Sequence, residues 1–186
     1  NNILLFLDEV QSGFGRSGKL YSYEWAKIKP DILATAKGIG SGFPLGACLA
    51  TKEASIAMTK GKHGSTFGGN PLAVAVGREV LRIISDKSFL KKVEVIARYL
   101  WKNLKKLEGD YNEVIEVRGA GLLLGIKTRQ NNAMISKELK KNKLLSVLAE
   151  DNIIRLAPPL IITKKHVDEA INIIDETFKK LKWNTL

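Results

Sequence analysis

Cysteine is nearly absent from this chain, which has one cysteine and two histidines in 186 residues. A single cysteine excludes an internal disulfide framework, and we expect Cys48 to be a small buried residue. His63 and His166 lie far apart and lack ligand spacing, so we expect no metal site. No apolar run approaches the roughly 20 residues of a membrane span. The N-terminus also lacks a signal peptide's basic segment and cleavage site, so a cytoplasmic protein without a membrane partner is the expectation.

Acidic residues are in deficit, with 19 against 30 basic residues and a net charge of +11. Such a balance is compatible with nucleic-acid binding, which predicts clustered positive charge and interleaved aromatic residues. The excess is instead spread out, with 10 basic and 6 acidic residues in residues 1–85, and 20 and 13 in the remainder. We therefore expect solvated surface charge and no nucleic-acid partner.

The pattern of apolar residues changes near residue 86 and predicts two domains, residues 1–85 and residues 86–186. The first is predicted to be a glycine-rich α/β domain. Its predicted strands cover residues 3–7, the apolar run that ends before Lys37, and residues 47–50, and a helix begins after Asn70, which caps it. The second reads as a compact α+β layer. Its predicted helices cover residues 90–107, residues 133–141 and the segment after Thr163, and its strands cover residues 114–117, 122–126 and 153–156.

Two predicted strands in the first domain are each followed by an ionisable residue, Asp8 in one case and Lys37 in the other. Open α/β sheets place their chemistry at the carboxyl ends of such strands. Small residues flank Lys37 and leave space for a bulky group on its amine. A carboxylate and a lysine in these places are the two protein groups that a pyridoxal cofactor requires.

The glycine-rich loop over residues 62–71 offers hydroxyls and backbone N–H groups just before a helix, which is typical of a phosphate site but also of a plain solvent loop.

Another enzyme class fits the first strand, because four apolar residues followed by Asp8 and Glu9 resemble the Walker B strand of a P-loop ATPase. That alternative requires the motif G-x-x-x-x-G-K-[ST], which these residues do not contain but which could lie upstream.

Together these segments resemble the class III, ornithine-aminotransferase-like, pyridoxal-phosphate aminotransferases. Six segments carry the resemblance: FLDEVQSGFGRSG from Phe6, PDI from Pro30, AKG from Ala36, GFPLGA from Gly42, HGSTFGGNP from His63, and RGAGL from Arg118. The resemblance implies an α/β fold of the fold-type I class. Residues 1–85 would be part of the mixed or parallel sheet of the large domain, and residues 86–186 would be the α+β small domain.

The family's functional residues carry over to five positions of this sequence. Lys37 would bind pyridoxal 5'-phosphate as a Schiff base and move the substrate proton, Asp8 would keep the pyridine nitrogen protonated, and Gln11 would bond the phenolic oxygen. Thr66 would reach the phosphate bound in the other subunit, which implies a homodimer with a shared active site. Arg155 would hold the α-carboxylate of the substrate.

The segments from Gly42 and around Arg155 are most similar to acetylornithine aminotransferases. They imply ping-pong transfer of an amino group from N2-acetylornithine to 2-oxoglutarate, in arginine biosynthesis. Other substrates within the same family are alternatives: ornithine, succinylornithine, succinyl-diaminopimelate and 4-aminobutyrate. The N-terminal half of the family pattern, with its phosphate-binding turn and its stacking aromatic residue, is absent, so we expect residues upstream and no activity from these 186 residues alone.

Overall fold

A computed structural model describes residues 3–183. They form two compact units, which divide between Lys91 and Lys92. No helix in the described part of the chain is both long enough and apolar enough to cross a membrane.

The first unit contains a three-stranded mixed sheet in the order β1-β2-β3. Strand β1 (Phe6–Asp8) runs parallel to β2 (Ile32–Thr35), and β3 (Ala47–Ala50) is antiparallel to β2. Helix α1 (Tyr23–Ala26) lies between the first two strands in sequence, and a 3-10 turn (Lys37–Ile39) follows β2. Helix α2 (Pro71–Ile84) begins after Asn70, whose side chain accepts hydrogen bonds from the N–H groups of Leu72 and Ala73, so the predicted cap is confirmed.

Two details of this sheet differ from the predictions. Strand β1 begins at Phe6 rather than residue 3, because the backbone N–H of Leu5 bonds to the Asp31 carboxylate, at 2.8 Å, and not to a neighbouring strand. The prediction that Cys48 is buried was wrong. Cys48 belongs to an edge strand, β3, whose four residues are all exposed in this unit.

The second unit contains a four-stranded antiparallel sheet in the order β4-β5-β7-β6. The strands are β4 (Val114–Ala120), β5 (Leu123–Thr128), β6 (Val147–Ala149) and β7 (Ile153–Leu156). The helices are α3 (Lys87–Asp110), whose residues up to Lys91 belong to the first unit, α4 (Asn132–Lys141) and α5 (Lys164–Trp183). Strand β7 has the predicted bounds. Strand β6 was not predicted, because three residues are too few to show the alternation of a strand.

The apolar stripes predicted on the two long helices form the core of the second unit. On α3 the buried residues are Val93, Ala97, Leu100, Leu104 and Leu107, and on α5 they include Val167, Ile174, Phe178 and Leu181. Fully burying a side chain of leucine, isoleucine or phenylalanine size stabilises a fold by roughly 1.5–3 kcal/mol. The spacing of three and four residues therefore gives each helix an apolar face that packs in this core.

A polar contact also ties the end of α3 to α5. The hydroxyl of the buried Tyr111 donates to the Asp175 carboxylate at 2.5 Å, and Lys179 bonds to the other oxygen of the same carboxylate, also at 2.5 Å. The bonds from Lys179 and then from Tyr111 lower the pKa of Asp175. Burial and the bond to Asp175 raise the pKa of Tyr111, which keeps this phenol protonated as a donor.

We expect Asp175→Asn to destabilise the full-length protein at pH 7 by about 1 kcal/mol, a figure that allows for solvent screening of this partly exposed group. Because the folded pKa of Asp175 is lowered, its contribution is present above the ordinary aspartate pKa near 4 and is lost as the pH falls through the folded value. Melting temperatures from pH 7 to about pH 2 measure this, because the loss occurs below the ordinary aspartate pKa. The difference in melting temperature between Asp175→Asn and wild type should narrow below about pH 4. The neighbouring exposed Glu176→Gln should melt at the wild-type temperature throughout. A difference for Asp175→Asn that does not change with pH would contradict the prediction.

Candidate active site

The ends of β1 and β2 bring Asp8 and Lys37 to the same edge of the sheet. Asp8 is the last residue of β1 and lies opposite Ala34 in the parallel ladder, while Lys37 follows two residues after the end of β2. The backbone N–H of Glu9 continues the ladder by donating to the carbonyl of Ala34 at 2.8 Å. The carboxylate and the amine therefore both lie at the carboxyl end of this pair of parallel strands.

The Asp8 carboxylate is exposed but has a fixed orientation. Its Oδ1 accepts a hydrogen bond from the backbone N–H of Val10 at 2.9 Å. A carboxylate that is held by backbone and open to solvent is available to a cationic donor.

Lys37 has a left-handed backbone, with a φ of +48°. This conformation costs a residue with a side chain on the order of 1–2 kcal/mol, and it is found most often where surrounding structure enforces it. The residue after Lys37 is closely packed as well, because a Cβ at Gly38 would lie 2.9 Å from the Cβ of Phe14. The loop after β1 therefore contacts the backbone next to Lys37.

Gln11 and Lys37 are joined directly. The Nζ of Lys37 donates a hydrogen bond of 3.4 Å to the Oε1 of Gln11. Sequence spacing of 26 residues gives no hint of this contact, which arises because the loop after β1 folds back over the end of β2. Two predicted site residues therefore contact each other directly.

The loop that carries Gln11 is rigidly packed. Phe14 has a φ of +51°, and its ring meets the Tyr21 ring edge-on at 5.8 Å. Tyr21 also stacks on Tyr23 at 5.9 Å. Burial raises the pKa of Tyr21 and lowers that of Arg16 in the same loop, so both groups sit where charge is disfavoured or must be compensated.

Sequence reasoning missed the part played by Glu9. It was counted only as one of the polar residues after β1, yet it is 3% exposed, with its carboxylate turned into the loop. Oε1 accepts from the backbone N–H of Tyr23 at 2.9 Å, and Oε2 accepts from the hydroxyl of Ser12. No local pattern marks such a contact, because Tyr23 is 14 residues away.

Thr66 lies in an exposed loop that leads into α2. The loop is closed by a hydrogen bond of 2.9 Å from the N–H of Gly68 to the hydroxyl of Ser65. Phe67 beside it is 80% exposed. No hydrogen bond between described residues joins Thr66 to Lys37, Asp8 or Gln11.

Arg155 belongs to the second unit, where β7 places it between Gly125 of β5 and Val147 of β6. It lines a cavity of about 680 Å³ whose walls are mostly aliphatic, with Ser146 and His166 among the few polar residues. Its Nε is buried and has no hydrogen-bond partner within residues 3–183. A guanidinium with an unpaired, desolvated donor favours an anionic ligand such as a carboxylate.

Comparison with known proteins identifies the family. Residues 1–178 match the family described as aminotransferase class-III. The chain belongs to the class III aminotransferase family. The predicted resemblance is therefore confirmed. The family match replaces the alternative in which Asp8 and Glu9 belong to a P-loop ATPase.

The curated relatives of this class III chain include acetylornithine aminotransferases. The protein from Mesorhizobium japonicum is 49% identical over 175 residues, which are 94% of this chain and 44% of that protein. The protein from Caldanaerobacter subterraneus is 40% identical over 185 residues, 98% of this chain and 47% of that protein. The chain thus spans a little under half the length of the curated relatives it matches.

Solved structures confirm the α/β fold of the fold-type I class. Ornithine delta-aminotransferase of Plasmodium falciparum superposes with a TM-score of 0.92 at 37% identity, covering 98% of this chain and 49% of that one. Acetylornithine aminotransferase of Elizabethkingia anophelis superposes with a TM-score of 0.88 at 34% identity, covering 96% and 46%.

Proposed function

We propose that the full-length protein is a pyridoxal-phosphate-dependent aminotransferase. It would move an amino group from N2-acetylornithine, or a related ω-amino donor, to 2-oxoglutarate by a ping-pong mechanism in cytoplasmic arginine biosynthesis. The observation that carries the proposal is the contact between Lys37 and Gln11 at the sheet edge that Asp8 also occupies, in a chain of this family.

The donor set fits the cofactor. When bound, pyridoxal phosphate supplies an electron sink that lets a proton leave the amine-bearing carbon of the substrate. Lys37 would hold the cofactor through Nζ and then accept and return that proton. The Asp8 carboxylate would accept a charge-assisted hydrogen bond from a ring N–H and so keep that nitrogen protonated. Gln11, already beside Nζ, would bond the phenolic oxygen.

The other predicted residues complete the proposal. Thr66 would bind the phosphate held by a second copy of the chain, in a homodimer with shared active sites, which the exposed Phe67 beside it supports as a surface available to a partner. Arg155 would bind the substrate carboxylate through its planar, bidentate donors. Residues 1–85 would belong to the large domain and residues 86–186 to the small one.

The donor is tested by comparing amines at a fixed concentration of 2-oxoglutarate with the full-length protein. Ornithine is the matched control, because it differs from N2-acetylornithine only in lacking the acetyl group. We expect kcat/KM to be at least about tenfold higher for N2-acetylornithine than for ornithine or 4-aminobutyrate, since a tenfold ratio requires only about 1.4 kcal/mol of binding to the acetyl group. Equal values would contradict this donor but leave the reaction class standing.

A further inference from the structure

Glu9 is a buried carboxylate whose two oxygens are both engaged. It is 3% exposed, and it accepts hydrogen bonds from the backbone N–H of Tyr23, at 2.9 Å, and from the hydroxyl of Ser12. Burying a charged group is unfavourable unless its hydrogen bonds are satisfied. Glu9 meets that condition entirely through the loop that follows it.

One of these bonds closes the turn that contains Gln11. The carboxylate reaches forward to Ser12, and the carbonyl of Glu9 accepts from the N–H of Gly13 at 3.1 Å. The turn is tight, since a Cβ on Gly13 would lie 2.8 Å from that carbonyl oxygen. Gln11 therefore lies inside a turn that two bonds to Glu9 close, one from Ser12 and one from Gly13.

The other bond closes the whole loop from Ser12 to Tyr23. The carboxylate holds the N–H of Tyr23 at the start of α1, and the hydroxyl of Ser22 donates to the carbonyl of Ser12 at 3.2 Å. Both ends of the loop thus meet at Glu9. In between, Phe14 packs against Gly38, the residue after Lys37.

We propose that Glu9 is a positioning residue for Lys37, because it holds Gln11 where its Oε1 accepts a hydrogen bond from the Nζ of Lys37. This inference rests on the proposed roles of Lys37 and Gln11. In this proposal Glu9 influences the lysine amine through Gln11. Its removal should therefore change the reactivity of that amine in the same direction as removal of Gln11.

The test measures the reactivity of the Lys37 amine in the full-length protein after the cofactor has been removed. Acetic anhydride labels amines between pH 7 and pH 10, and peptide mass spectrometry gives the rate at Lys37 relative to other lysines. We expect Gln11→Ala to raise the relative rate about fivefold, the equilibrium weight of one ordinary hydrogen bond. Glu9→Ala should raise the rate by no more than Gln11→Ala does, because the bond from Gly13 to the Glu9 backbone carbonyl remains, and the double variant should show no increase beyond that of Gln11→Ala.

Glu24→Ala is the matched control, because Glu24 also accepts a backbone N–H in this loop, from Tyr21 at 2.8 Å, but is exposed and does not touch the Gln11 turn. It should leave Lys37 labelling unchanged. If circular dichroism shows that Glu9→Ala does not fold, Ser12→Ala is the substitute. It removes only the hydrogen bond from the Ser12 hydroxyl to Glu9 and should raise the labelling of Lys37 about twofold.

Three results would overturn the proposal: no effect of Gln11→Ala, no effect of the folded Glu9 or Ser12 variant, or effects of Glu9 and Gln11 that add in full. The labelling uses neither cofactor nor turnover. Failure of the proposed aminotransferase activity is therefore seen in the donor assay, and failure of the Glu9 proposal is seen in Lys37 labelling.

Discussion

Lys37→Ala is expected to lower the transamination rate of the full-length protein by at least about 1,000-fold, because it removes the amine that would hold the cofactor and transfer the proton. Lys37→Arg should be equally inactive, since a guanidinium stays protonated and cannot act as a base. The fold should not change. Lys37 is exposed, and alanine at a φ of +48° carries the same backbone strain as lysine.

Lys27→Ala is a close control for this variant. Lys27 is also an exposed lysine with a left-handed backbone, at a φ of +54°, but it ends α1 rather than following β2. We expect it to keep full activity. Borohydride reduction of the full-length protein with pyridoxal phosphate, followed by peptide mapping, identifies the lysine that holds the cofactor; label on a lysine other than Lys37 would refute the assignment.

The ends of the elements were predictable where the signal is local. Asn70 followed by proline marks the start of α2, and Pro158 follows soon after the end of β7. The apolar runs before Asp8 and Lys37 likewise indicate where two strands end, because each run is continuous in sequence. Each of these features depends on residues that are neighbours in sequence, so a periodic pattern or a cap is sufficient to reveal it.

The contacts within the site were not predictable in this way. Phe14 packs against Gly38 beside Lys37, and the buried carboxylate of Glu9 bonds to the backbone of Tyr23. Both arise from a loop that folds back on the sheet. A sequence shows which residue types such a loop contains but not which of its polar groups become buried, because that follows from tertiary packing.

Arg155 also combines a feature that was predictable from local sequence with one that depends on tertiary packing. Its strand was predicted to the residue, but β6 was not, and the wall that β6 contributes to the cavity was therefore missed. An arginine on a strand is common at a surface. Its buried, unpaired Nε is what makes a carboxylate ligand the better interpretation, and that is a property of the fold.

Asp8→Asn is expected to lower the transamination rate about 100- to 1,000-fold, the usual effect of removing one preorganised electrostatic group. Asparagine has the same shape, and its Oδ1 can still accept from the N–H of Val10, so the melting temperature should not change. Asp31→Asn is the matched control. Asp31 precedes β2, at the opposite end of that strand, and also accepts a backbone N–H, from Leu5 at 2.8 Å.

The pH dependence separates the proposed role of Asp8 from a general loss of structure. If the carboxylate keeps a proton on the ring nitrogen, solvent can supply that proton in the Asp8→Asn variant once the pH is low enough. The ratio of wild-type to variant kcat should therefore shrink as the pH falls from 9 to 6. A ratio that stays constant over this range, or an equal loss in Asp31→Asn, would show that Asp8 supports the sheet edge rather than the cofactor nitrogen.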